Sequence, residues 1–237
     1  MIKTLKAFSV LLSYPSEDLQ SATAEIAAIC ASEKLLSAPQ MAALNVLLTR
    51  LGEADLIDLQ EQFVLLFDRS RSLSLNIFEH VHGESRDRGG AMVDMLETYR
   101  SAGLEPISRE LPDHLPVLLE YLALQPFVDA QAILADAAHI LSVLSSRLSR
   151  RGSDYAAVFD ALLHLADCQP DGDALAALQA QSEDDPEDLA ALDAVWAESQ
   201  VTFGPDIGPN KLHTDCPQAE EMLARMKVPQ NHLQPAK

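Results

Sequence analysis

Residues 78–90, FEHVHGESRDRGG, bring together two histidines, two glutamates, two arginines, an aspartate and three glycines in a chain otherwise rich in Leu and Ala. Glu79 and His82 form one Glu-x-x-His, the pair that holds di-iron centres in ferritin-like bundles because one helical turn aims both side chains inward. Such a centre needs a second pair and two further glutamates. The nearest approach to a second pair, Asp136 with His139, has a shorter carboxylate. Zinc needs three or four ligands, and His80 and His82 diverge by about 200° on a helix, sharing a face only on a strand. The stretch therefore reads as a polar helix end followed by a glycine turn, or as a surface that another protein recognises. A helical, di-iron-like oxidase remains the alternative reading, and a general acidic adaptor a third.

The second unusual stretch is LPDHLP, residues 111–116. Asp113 is a natural N-cap, and Pro116 then falls where a helix amide is free anyway. His114 would sit at the first helical position, facing solvent. Elsewhere there is no dinucleotide-binding glycine pattern, no phosphate loop and no nucleophile elbow. Cys30 lies among Ile26, Ala27 and Ile29 and reads as a buried core thiol.

Helices must position these stretches. Leu5, Phe8, Leu11 and Leu12 follow helical spacing to Tyr14-Pro15, where Ser16 offers the next N-cap. Ser37 and Gln40 read as a capping box for a helix running to about Leu51, with Gly52 after it. The stripe Leu56, Leu59, Phe63, Leu66, Phe67 predicts one helix over 55–68, and Ala91–Arg100 predicts another. Ile133, Leu134, Ala137, Leu141, Leu144 and Leu148 make the longest stripe, ending in Arg147, Arg150 and Arg151, whose charges complement a helix C-terminus before Gly152. A further helix starts at Ser153-Asp154.

With 48% apolar residues but only 5% aromatics and 9 glycines, the chain predicts an all-α, single globular multi-helix domain. The divisions are a helical domain over 1–168, an acidic link with a short helix over 169–200, and a tail over 201–237. The tail shows little periodicity, is expected to be mobile, and should be removable without loss of the fold. The net charge is −19, and residues 152–210 hold 13 acids and no base, which argues against nucleic acid and toward basic partners. Three cysteines without C-x-x-C spacing fit a reducing cytoplasm, and no run approaches a membrane span. Neither a metal nor a cofactor is expected.

The segment QFVLLFDRSRSLSLNIFEHVHGESRDRGGAMVDMLETY, followed by RELPDHLPVLLEYLA, resembles the nitrate reductase molybdenum cofactor assembly chaperones, the NarJ or delta-subunit family within the wider TorD/DmsD-like maturation chaperones. The likeness runs from LLSYP to LDAVWAESQVTF. It implies an all-helical cytoplasmic chaperone, not an enzyme. Its partner would be the apo catalytic α subunit of respiratory nitrate reductase, engaged by that subunit's N-terminal segment, a remnant of a twin-arginine signal, before cofactor insertion and membrane attachment. Molybdenum cofactor biosynthesis proteins extend the expected partners. By resemblance, Asp113 and His114 with Pro112 and Pro116 belong to the peptide-binding motif, which runs on to Glu120 and Tyr121. His80, His82, Glu84, Arg86, Asp87 and Arg88 form a second candidate surface.

Overall fold

The computed structural model describes residues 1–82, 86–105, 110–168, 172–180 and 217–226. Among them every regular element is helical, and the one β feature is an isolated antiparallel bridge between Asn76 and His114.

Helix α1 (Lys3–Leu11) ends before Tyr14-Pro15, and Ser16 caps α2 (Glu17–Glu33) by accepting from the Leu19 amide at 3.2 Å. The far end of α2 returns the service to α1. Glu33 accepts from the Lys3 and Thr4 amides at 2.9 and 2.7 Å, satisfying donors that a helix start leaves open. Helix α3 (Ala38–Glu53) runs past the stop predicted at Gly52. Gly52 instead lets α3 approach α2, since a Cβ there would stand 2.9 Å from the Thr23 hydroxyl. The predicted capping box does not form: Ser37 occupies the N-cap without a side-chain bond, and Gln40 Oε1 is buried without a partner among the described residues.

The single helix predicted over 55–68 is two segments: α4 (Leu56–Phe63), capped by Asp55, and a π-helical turn over Val64–Asp68 closed by the Arg69 amide on the Val64 carbonyl at 3.0 Å. A 3-10 turn (Arg71–Leu73) leads to α5 (Ile77–His82) and α6 (Arg86–Ser101). Gly89 and Gly90 lie inside α6 and not in a turn, and Gly83, which follows α5, falls outside the described residues.

Helix α7 (Leu115–Ala123) packs on α1. The longest predicted stripe crosses a break: α8 (Phe127–Asp136) and α9 (Ala138–Arg150) are bent by 68° at Ala137. Periodicity alone misses the corner because Ala137 is itself buried. Helix α10 (Ala156–Ala166) packs on α9, α8 and α3, and α11 (Gly172–Gln179) lies on α9. Phe8, Leu12, Leu44, Leu119, Leu122, Phe159 and Leu162 are fully buried at the centre. No single helix among the described residues is long and apolar enough to cross a membrane.

Arg147, read from sequence as a helix-end cation, is buried instead. Its guanidinium donates to the Ser72 carbonyl at 2.8 Å and the Leu178 carbonyl at 3.1 Å, tying the 3-10 turn and α11 to α9. Pro217–Met226 forms α12, a helix within the stretch where the sequence shows little periodicity. Met222, Leu223 and Met226 are buried against α6 and α8, and Arg225 pairs with Asp136 at 2.9 Å. These three apolar positions share one helical face, too short a stripe to stand out among the prolines around it.

Candidate functional site

The loop entering α7 runs antiparallel to residues 75–77, and that pairing decides where the LPDHLP side chains go. The Leu115 amide donates to the Leu75 carbonyl at 2.8 Å, and the Ile77 amide to the Asp113 carbonyl at 3.0 Å. Asp113 therefore faces the start of α5, and its Oδ2 accepts from the Phe78 amide at 3.2 Å. It does not cap α7, whose N-cap is His114 with no side-chain bond. The predicted capping chemistry is present but serves another helix. The first amides of α5 need acceptors, and the bridge leaves Asp113 beside them.

Asp113 is fully buried. Arg88 Nη2 stands 3.5 Å from its carboxylate and 3.9 Å from Glu79, which accepts from the Ser74 hydroxyl at 2.7 Å. Burial raises the Asp113 pKa, and the Arg88 charge and the Phe78 amide only partly oppose it. The Tyr99 hydroxyl donates to the Pro112 carbonyl at 2.9 Å, holding the loop from the α6 side. His80 is buried as well. Its Nε2–H donates to the Ser74 carbonyl at 2.8 Å, and burial holds its pKa below the usual histidine value. Asp113, Arg88, Glu79 and His80 thus form an internal polar joint between α5, α6 and the α7 loop.

His114, Pro116 and Glu120 lie on the other side of that loop, where they line a groove of about 480 Å³. Its apolar surface comes from Leu12, Tyr14, Phe63, Phe67, Leu75, Pro116 and Val117. Its rim carries Asp68, Glu110 and Glu120, the last paired with Lys6. Burial and the nearby Glu110 charge raise the Asp68 pKa. Burial also lowers the His114 pKa, against the pull of Glu110, and His114 Nδ1 has no hydrogen-bond partner among the described residues. Chemically the groove suits an apolar segment bearing cations.

Not every residue singled out in the sequence reaches the groove. Tyr121 is a core residue, its ring 5.1 Å from that of Tyr99. Pro112 contributes its carbonyl to Tyr99. Glu84 and the side chains of His82, Arg86 and Asp87 lie outside the described residues. Among the described residues, no group of three or more His, Cys, Asp or Glu side chains is placed to hold a metal ion. Cys30 is fully buried, and burial pushes its thiol up to about 11.

Sequence reasoning missed Tyr14, Phe63, Phe67, Asp68 and Glu110. The spacing places Phe63 and Phe67 on the core stripe, which is true of most of their surface. The signal that could have drawn notice was Tyr14-Pro15 at a helix break, an aromatic held out by a stiff turn. Tyr14 is 53% exposed, with its ring edge-on to Phe63 at 5.9 Å.

Comparison with known proteins supplies a context for this groove. A family model described as nitrate reductase delta subunit matches residues 33–161. An Escherichia coli K12 protein named nitrate reductase molybdenum cofactor assembly chaperone NarJ is 48% identical over 202 residues, covering 84% of each chain. A Bacillus subtilis 168 protein, named a probable chaperone of the same kind, is 31% identical over 167 residues, covering 68% of this chain and 86% of that one.

Proposed function

The chain belongs to the nitrate reductase delta-subunit family, and from that premise we propose that it is an assembly chaperone for a respiratory nitrate reductase, one that holds the apo catalytic subunit by its N-terminal segment while the molybdenum cofactor is inserted. The curated relatives are named chaperones, not enzymes. Residues Tyr14, Phe63, Phe67, His114, Pro116 and Val117 receive the apolar face of that segment, and Asp68 and Glu110 face its cations. Asp113 and Arg88 act one layer below, fixing the loop that presents His114. The work is done in the cytoplasm, before membrane attachment, and the chaperone leaves the finished enzyme.

The observation that carries this reading is the combination of an apolar groove with an acidic rim. A short amphipathic helix gains affinity by burying its apolar face in such a groove. Opposite charge at the rim mainly speeds encounter and selects partners. Calorimetric titration of the catalytic-subunit N-terminal peptide tests it. Val117→Glu, on the groove wall, should weaken binding by about tenfold, the scale of one lost apolar contact. Asp68→Asn with Glu110→Gln should weaken it less and flatten its salt dependence. Wild-type affinity in Val117→Glu would remove the groove from the reading.

A further inference from the structure

A second groove, of about 450 Å³, lies on the other side of Tyr14 and is unused by the function just proposed. Val64 and Leu65 line it, with Ile57, Gln60, Glu61 and Arg69 around them. Two observations join it to the first. Tyr14 lines both grooves, and its contact with Phe63 fixes the ring between them. The π-helical turn supplies both, presenting Phe67 and Asp68 to the first groove and Val64 and Leu65 to the second. Ile57, 65% exposed, stands out on the outer wall as a large aliphatic side chain in water.

The charge differs between the two. The first groove has only acids unpaired on its rim, whereas the second carries one acid, Glu61, and also a cation, Arg69, which has no acidic partner among the described residues. A guanidinium there suits a carboxylate or the open carbonyls at the C-terminal end of a helix.

We propose that the two grooves are one docking surface hinged on Tyr14. A single partner helix crosses it, with its cationic N-terminal end at Asp68 and Glu110, and with an aliphatic side chain near its C-terminal end packed on Ile57, Val64 and Leu65. This rests on the reading of the first groove as the segment's site and adds the length, direction and second anchor of the bound helix.

The test uses the full chain and two peptides, the catalytic-subunit N-terminal segment and the same segment lacking its C-terminal half. Ile57 is exposed, so Ile57→Glu should leave the melting temperature unchanged. It should weaken the longer peptide by about tenfold while leaving the shorter within about twofold, and Arg69→Glu should act in the same direction. Val117→Glu should weaken both peptides. Unchanged affinity of Ile57→Glu for the longer peptide, with wild-type binding intact, would overturn the second anchor alone. Failure of the wild type to bind either peptide would overturn both readings together.

Discussion

Replacing Asp113 by Ala removes two supports at once. The Phe78 amide, buried at the start of α5, loses its side-chain acceptor at 3.2 Å, which costs about 1–3 kcal/mol. Arg88 loses the carboxylate at 3.5 Å and keeps Glu79 at 3.9 Å. Removing one partner of a fully buried pair costs about 3–5 kcal/mol, but Arg88 is 13% exposed and retains an anion, so only a fraction of that applies. The total should be about 3 kcal/mol, or a fall in melting temperature of about 6–12 °C for a chain of this size. Asp113→Asn keeps an acceptor for Phe78, and burial already disfavours the ionised carboxyl, so it should cost about 1 kcal/mol or less. Thermal melts and urea titrations give the totals, and amide exchange should rise first in Ile77–Val81. Because the side chain does not reach the groove, Asp113→Asn should also leave peptide affinity within about twofold. Equal losses for Asn and Ala would refute the argument, since they would show that charge, not the acceptor at α5, holds the joint.

Burial lowers the His80 pKa, so the folded chain refuses a proton that the unfolded chain accepts below about pH 6.5. Stability should therefore fall as pH drops from about 7 to 5. Urea midpoints across that range should fall less steeply in His80→Gln, which keeps a donor for Ser74; His114 shifts in the same direction and would retain part of the slope. Deleting residues 217–237, harmless if the tail were unstructured, should lower the melting temperature by several degrees, since Met222, Leu223 and Met226 are buried. It should also raise amide exchange along α6, which α12 fastens to α8; an unchanged melt and exchange pattern would show that α12 contributes nothing to the body.

The helices were legible wherever one face of a segment is buried and its ends carry their own caps. Ser16 and Asp55 cap as their types predict, and the all-α class followed from composition. The misreadings share one cause, which is that long-range partners redirect local chemistry. Asp113 has the residue type of a cap and acts as one, but for a helix 35 positions back in the chain. Arg147 and Tyr121 have polar ends that suggest surface, yet each is buried against elements remote in sequence. The groove was half legible: His114, Pro116 and Glu120 line it, but Tyr14, Asp68 and Glu110 meet them only through packing. Spacing along the chain carries no signal for such a meeting.

The π-helical turn closes its bond from Val64 to Arg69, five residues apart where an α-helix spans four. Val64–Asp68 therefore holds one residue more than a continuous helix would need. Removing Val64 or Leu65 would let the stretch close in the ordinary four-residue pattern with the elements after it nearly in place, while taking one aliphatic side chain from the wall of the second groove. Recognition at this wall is thus a matter of count before it is a matter of kind. A one-codon deletion here would leave a chain that still folds its helices and presents a narrower wall to its partner, a lesion that no scan of single substitutions would reveal.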